Sequence, residues 1–408
     1  MNHRPLRVCV IAFTHFATDA RVRREAEALL DRGDSVDVLC LRDRSEYGSA
    51  HPELRLYGLW TPRYRGSSAV RYAAQYLAFF LLASAWAARL TLRRRYDVVH
   101  VHTMPDFVVF AALVPKLLGA NVVLDIHDLM PELYASKFGL SPSHRGIRAL
   151  RWLERKSVAF ADCAIAVHKP HLDGLVGHGN PRERLRVVMN APDPKLFATR
   201  LTGQPAGRGL SLVYHGTVAE RHGLEVALRA LALVRSEIVD LDFRLIGDGD
   251  DMDRVLHLVD ELDLGDVVRV TRGFVPLEEI IPEIANADVG IVPILDDPFT
   301  RYMLPAKLLE YVALGIPVVC SETPAVRAYF DDSMIQFFTS GDSDDLARKL
   351  IDLHRSPARR RDLARAADGF NARFGWEAQR AAYYRVIDGL VADSPPVAEL
   401  QAEASHTD

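Results

Sequence analysis

Short apolar runs rich in Val and Ile alternate with helical patterns twice along this chain, and that alternation limits the fold more than any other feature. In the first half the runs LRVCVIAF (6–13), SVDVLCL (35–41), DVVHVH (97–102), NVVLDIHD (121–128), CAIAVH (163–168) and LRVVMN (185–190) read as strands. Between them lie helical patterns at 20–33, ended by Gly33, and at about 70–95, 107–119 and 145–161. The alternation stops at FATRLTGQPAGRGL (197–210), whose Gly, Pro and Gln content reads as a linker. It then restarts with LSLVYHG (210–216), DFRLIGDGD (242–250), VVRVTRGFV (267–275), DVGIVPI (288–294) and PVVC (317–320), again separated by helices. Strands buried on both faces by helices mean parallel sheets. The expected architecture is therefore α/β, with two Rossmann-like parallel αβ domains facing across a cleft at the carboxyl ends of their strands.

The predicted boundaries are 1–197 for the N-terminal domain, 198–209 for the linker and 210–375 for the C-terminal domain. A C-terminal helix at 376–393, possible partner of the N-terminal domain, and a polar tail at 394–408, expected to be disordered, follow. A chain of 408 residues suits two cores rather than one. Its net charge of −4 offers no positive field for phosphate backbones, so no nucleic-acid partner is expected. Four cysteines without CxxC spacing, most of them in strand-like runs, read as reduced core residues. The opening MNHRPLRVCVIAF runs directly into a strand pattern, which favours a cytoplasmic location. The segment 69–95 qualifies this: a long apolar run, interrupted by Gln75, Ser84 and Arg89, ends at Arg93-Arg94-Arg95. It reads as a buried helix or as one lying in a membrane surface, and different faces can do both.

Several positions carry chemistry. In TRYMLPAKLLEYVALGIPVV (300–319), Pro305 suits a first helical turn, whose free N–H groups and dipole make an anion site. Lys307 reaches the same anion, and Glu310 shares its helix face and suits hydroxyls such as a ribose diol. The alternative is a Lys–Glu pair on a solvated helix. His127, Asp128 and Glu132 follow a strand within six residues, and His100 and His102 share one strand face. No third ligand stands beside that HxH pair in sequence, so no metal is expected. Gly216 would let backbone approach a ligand, Arg221 could pair with phosphate, and the Gly-rich turn at Gly247 follows another strand.

Taken together, PAKLLEYVALGIPVV, HGTVAERHGLEVALRAL, LIGDGDDMDRV and RGFVPLEEIIPEIANADVGIVPI resemble the retaining GT-B glycosyltransferases of family four (glycosyl transferases group 1), over nearly the whole chain. The resemblance implies transfer of a sugar from a nucleotide-diphosphate sugar to a glycan or lipid-linked acceptor in cell-surface polysaccharide synthesis. It implies donor binding by the C-terminal domain: Glu310 on the ribose, Leu304, Pro305, Ala306, Lys307 and Arg221 on the diphosphate, Gly216 and Gly247 in the nucleotide loops, and Phe274 and Val275 at the base. His127 would sit beside sugar and acceptor, with Asp19, Arg21, Asp128 and Glu132 shaping the acceptor site of the N-terminal domain. His127, Lys307 and Arg221 would be the catalytic groups, with basic groups and the helix dipole in place of a metal and no cofactor. Tyr302 replaces the family's usual Glu eight positions before Glu310, and Thr217 replaces a frequent Arg, for which Arg301 is a candidate substitute. A nucleotide-sugar 2-epimerase and a non-catalytic partner-binding homologue are the competing readings.

Overall fold

A computed structural model describes residues 4–42, 51–61, 64, 69–197, 209–273 and 275–391. The predicted linker, apart from Gly209, and the predicted tail lie outside the described residues. By their contacts the described residues form two units. One draws on the described residues within 4–131, 141–189 and 379–391; the other draws on those within 132–140 and 190–378.

The first unit holds a seven-stranded sheet: β1 (Arg7–Ala12), β2 (Ser35–Leu41), β3 (Leu54–Leu59), β4 (Val98–His102), β5 (Asn121–Ile126), β6 (Cys163–Ala166) and β7 (Leu185–Val187). Their order is β3-β2-β1-β4-β5-β6-β7, and every pairing is parallel. The second unit holds a six-stranded sheet: β8 (Leu210–His215), β9 (Leu241–Gly247), β10 (Val268–Arg272), β11 (Val289–Val292), β12 (Val318–Ser321) and β13 (Gln336–Phe338). The order β10-β9-β8-β11-β12-β13 is again wholly parallel. In both sheets the order reverses beside the first strand, which is where parallel sheets open a crevice at their carboxyl ends. All four cysteines are buried thiols: Cys9, Cys40 and Cys320 within strands and Cys163 at the start of one.

Several elements differ from the sequence expectation. β3 carries no apolar run because it is an edge strand with only Leu59 buried. The pattern at 107–119 is not one helix but a 3₁₀ segment, Asp106–Ala112, followed by a short helix, Leu113–Leu117. LRVVMN forms ladder pairs only as far as Val187. The helices Met130–Phe138 and Lys169–Gly177 are too short to announce themselves by period; in the second, Pro170 sits in the first turn and Gly174 weakens the pattern.

The helix Ala69–Arg93 resolves into two faces. Gln75, Phe79, Ala83, Ala87 and Leu90 are buried along one side. Gln75, read as an interruption, accepts a hydrogen bond from the Tyr64 backbone N–H at 2.6 Å. On the opposite side Val70, Leu77, Leu81 and Leu92 stand more than half exposed. Among the described residues this is one helix long and apolar enough to cross a membrane, by length and composition alone.

The helix Trp376–Val391 completes the first unit. Tyr383 and Ile387 are fully buried in a cluster with Val8, Val10, Leu29, Val36 and Val98. Gln379 accepts from the Met189 N–H at 2.8 Å, and Tyr384 donates to the Ala28 carbonyl at 2.6 Å. Replacing Ile387 by Ala is expected to cost about 2–5 kcal/mol of stability. Urea unfolding checks this: the midpoint of the first unit should fall without a change in slope.

Candidate functional site

In the second unit the predicted donor residues converge at the carboxyl ends of β8 and β9. Gly216 (φ +106°) and Gly247 (φ +151°) lie back to back, and a Cβ on Gly247 would fall 1.9 Å from the Gly216 carbonyl oxygen. Only glycine lets these two loops run together. The pairing continues past the strands, with Gly216 N–H donating to the Ile246 carbonyl and Val218 N–H to the Asp248 carbonyl, each at 2.9 Å.

Against these loops stands the N-terminus of the helix Ala306–Leu314. Pro305 caps it in an extended conformation (φ −63°, ψ 129°), so the proline sits one position earlier than a first-turn residue. Lys307 lays its ammonium 3.8 Å from the centre of the Tyr214 ring, beside Gly216. Burial lowers its pKa to about 7, against the opposing pull of Glu310. Glu310 approaches the end of β8: its Oε2 lies 2.5 Å from His215 Nε2, and His215 Nδ1 lies 3.0 Å from Tyr311 Oη. His215 thus fixes the rotamer of Glu310, a role that sequence reasoning missed. Its one signal was a histidine ending an apolar strand.

Arg221 sits in the loop before the helix Leu224–Val234, 5.7 Å over the Phe299 ring, and its Nε is buried without a hydrogen-bond partner. Its neighbour His222 has its pKa pulled down to about 3 by burial and then by Lys307, and its Nδ1 lies 2.7 Å from the Thr217 carbonyl. Leu304 and Tyr302 are half-buried just ahead of the helix, while Ala306, Arg301 and Thr217 are exposed. Val275 follows β10 in a loop; Phe274 lies outside the described residues.

In the first unit a cavity of about 290 Å³ opens at the carboxyl ends of β1, β4 and β5. Asp19, His127 and Asp128 line it together with Phe13, Tyr72 and Tyr76, so polar groups face an aromatic wall. Asp19 also caps the helix Ala20–Asp31, accepting from the Val22 N–H at 3.1 Å. Two expectations need correcting. Arg21 does not face this cavity: it is buried and clamps Asp125 with two bonds, Nε–Oδ2 at 2.7 Å and Nη2–Oδ1 at 2.8 Å. Glu132 is buried in the helix Met130–Phe138, groups with the second unit and does not line the cavity.

Asp125 is the residue that the sequence reading passed over, although a carboxylate inside the apolar run NVVLDI was its signal. It is fully buried, and its Oδ2 lies 3.2 Å from both His127 Nε2 and His102 Nδ1. Burial alone would raise its pKa, but Arg21 and then His127 hold it well below the usual carboxylate range. Burial pulls His127 down, and the Asp125 charge and hydrogen bond outweigh it, so the imidazole is raised overall. Burial also raises Glu25 and keeps His100 well below the ordinary imidazole value.

Residues 17–191 match the Glycosyl transferase 4-like domain, and residues 209–356 match Glycosyl transferases group 1. The chain has the GT-B glycosyltransferase fold. Among solved structures, Anabaena HepE in complex with UDP-glucose superposes with a TM-score of 0.71 at 14% identity, covering 94% of this chain and 100% of that one. Among curated relatives, the amylovoran biosynthesis glycosyltransferase AmsK of Erwinia amylovora is 27% identical over 188 residues, which is 45% of each chain. The chain thus spans less than half of that relative. The D-inositol 3-phosphate glycosyltransferase of Arthrobacter sp. (strain FB24) is 29% identical over 73% of this chain and 72% of its own.

Removing one partner of a buried ion pair strands the other charge. Asp125→Asn is therefore expected to destabilise the protein by about 3–5 kcal/mol. The double variant with Arg21→Met should lose less than the two single losses added together, and a double-mutant cycle in denaturant measures that coupling.

Proposed function

We propose that this protein is a retaining glycosyltransferase that moves a sugar from a nucleotide-diphosphate sugar to a glycan or lipid-linked acceptor in polysaccharide synthesis. The observation that carries the reading is the convergence of Lys307, the His215-oriented Glu310 and two glycine loops on one helix N-terminus. That group pairs an anion site with a hydroxyl acceptor, which is what a nucleoside diphosphate requires. The matched glycosyltransferase domains support it, as do the UDP-glucose bound by HepE and the polysaccharide role of AmsK.

Glu310 takes the ribose hydroxyls. The N–H groups at the start of the helix Ala306–Leu314, Lys307 and Arg221, whose Nε has no hydrogen-bond partner among the described residues, hold the diphosphate. Leaving-group charge develops on that diphosphate, so cations and dipoles aimed at it stabilise departure in the role a metal would otherwise fill. His127 faces the acceptor, whose hydroxyl loses its proton to the departing phosphate as the new bond forms on the same face of the sugar. Asp125 positions His127 through its Nε2. The aromatic and acidic cavity of the first unit suits a sugar ring, which stacks on apolar faces and hydrogen-bonds at its rim. A 2-epimerase needs no acceptor, so incubating donor alone and analysing the products separates the two readings.

Lys307 sets a pH dependence. Unliganded, it is charged below about pH 7 and neutral above. A bound diphosphate favours the ammonium and raises its pKa, so binding takes up a proton above pH 7. Affinity should be full at low pH and fall by up to about tenfold per pH unit above 7. Calorimetry with nucleoside diphosphates from about pH 6 to about pH 9 measures this. Lys307→Met should bind more weakly with a flat profile, and Glu310→Ala should lose the thermal stabilisation of about 2–4 kcal/mol that saturating ligand gives wild type. A panel of nucleotides that shifts neither wild type nor variants would sink the donor assignment.

The proposal extends to location: the enzyme works at the cytoplasmic face of a membrane, with the exposed side of the helix Ala69–Arg93 in the lipid surface. Val70, Leu77, Leu81 and Leu92 supply the apolar contact, and the exposed Arg89, Arg93 and Arg95 the attraction to anionic headgroups. Wild type should float with anionic liposomes, and the doubly substituted Leu77→Asp, Leu81→Asp protein should stay in solution. Wild type that ignores such liposomes at low salt removes this part of the proposal.

A further inference from the structure

Behind His127, three buried polar atoms gather without hydrogen-bond partners among the described residues. Glu25 Oε2, from the helix Ala20–Asp31, lies 3.8 Å from His100 Nε2 and 3.9 Å from His102 Nε2, both on β4. The three side chains are at most 2% exposed, and none of these atoms has a hydrogen-bond partner. A separation of 3.8 Å is too long for a direct hydrogen bond.

The opposite end of each group is engaged. His100 Nδ1 meets Tyr383 Oη at 2.9 Å, and His102 Nδ1 lies 3.1 Å from His127 Nε2 and 3.2 Å from Asp125 Oδ2. Arg21 takes the other Glu25 oxygen at 3.3 Å and both oxygens of Asp125. In the tautomer that puts each proton on Nδ1, toward Tyr383 and Asp125, both Nε2 atoms present lone pairs to the Glu25 oxygen. A water in the gap would meet three acceptors with two protons, leaving one buried acceptor unsatisfied. A cation satisfies all three.

We propose that Glu25, His100 and His102 form a buried structural site for a divalent metal ion of the zinc class, with Asp125 and Tyr383 as the groups that orient its imidazoles. Two neutral imidazoles and a carboxylate are the donors such ions prefer, and an acceptor behind each imidazole is the usual support. Donors about 2.0–2.1 Å from zinc stand about 3.4 Å apart in a tetrahedron, so the gaps close by about half an ångström on binding. The local charge allows it, since the carboxylates of Glu25 and Asp125 face one guanidinium. The sequence showed only the HxH pair; the fold brings in the third donor from the first helix. The site is closed, so its role is to tie that helix to β4, and it is independent of the transferase reading.

The test uses the full chain without a metal-binding tag. After growth with zinc and dialysis against metal-free buffer, elemental analysis should find about one equivalent per chain in wild type. Glu25→Gln and His102→Gln should hold less than about a tenth of that. A strong chelator should lower the wild-type melting temperature by several degrees, zinc should restore it and magnesium should not. A cobalt-loaded sample should show visible d–d bands that Glu25→Gln and His102→Gln lack. Metal-free wild type whose melting ignores both chelator and zinc overturns the proposal, as does metal retained equally by the variants. If the variants do not fold, chelation and re-addition on wild type decide alone.

Discussion

The two-pronged clamp of Arg21 on Asp125 is the contact around which the first unit is organised. It joins the opening helix to the middle of the sheet, and Arg21 also donates to the Val188 carbonyl beyond β7 at 3.2 Å. An ion pair this deep is seldom a net source of stability, because both charges have left water. What it supplies is uniqueness: one register of helix against strand, and a fixed negative charge under His127. The histidine that fronts the cavity is oriented by this buried pair rather than by solvent or by the ligand it would meet.

The second unit solves the corresponding problem with less charge. Its site is backbone first, two glycine loops and a helix end, with side chains added at the rim. Lys307 rests on an aromatic face, and Glu310 rests on a histidine held by Tyr311, whose hydroxyl reaches the Val213 carbonyl at 3.2 Å. The two candidate sites therefore differ in kind. One is a buried polar network that presents a single imidazole, and the other is a set of N–H groups and a cation, to which the proposed function assigns phosphate. Such a division fits an enzyme in which one unit carries leaving-group charge and the other only has to place a hydroxyl.

The two parallel sheets were legible because burial on both faces leaves unbroken apolar runs, and β1, β4, β8 and β11 are such strands. β3 was invisible for the same reason reversed: at the sheet edge, with only Leu59 buried, it has no run to read. In the candidate site, the positions of Gly216, Gly247, Lys307 and Glu310 were legible because local geometry marks them: a positive φ, a close approach, a helix N-terminus. Arg21 was assigned to the wrong task, and Asp125 and Glu25 were overlooked, because a buried ion network is assembled from three elements distant in sequence. Periodicity records which face a residue occupies and carries nothing about which charge will stand opposite. His215 belongs to the same class.

The closing helix has an implication for how the molecule is made. Tyr383 and Ile387 belong to the same buried cluster as Val8 and Val36, so the first unit's core includes residues synthesised after every strand of the second unit's sheet. On the ribosome, the second unit's sheet, complete by Phe338, emerges whole while the first still lacks part of its interior. The usual order, in which the amino-terminal domain finishes first, is inverted for that part of the core. The nascent first unit must wait with apolar surface uncovered, and closing it requires contacts of very long sequence separation. For a chain with an exposed leucine stripe as well, that interval is when chaperone capture or membrane contact would have most to act on.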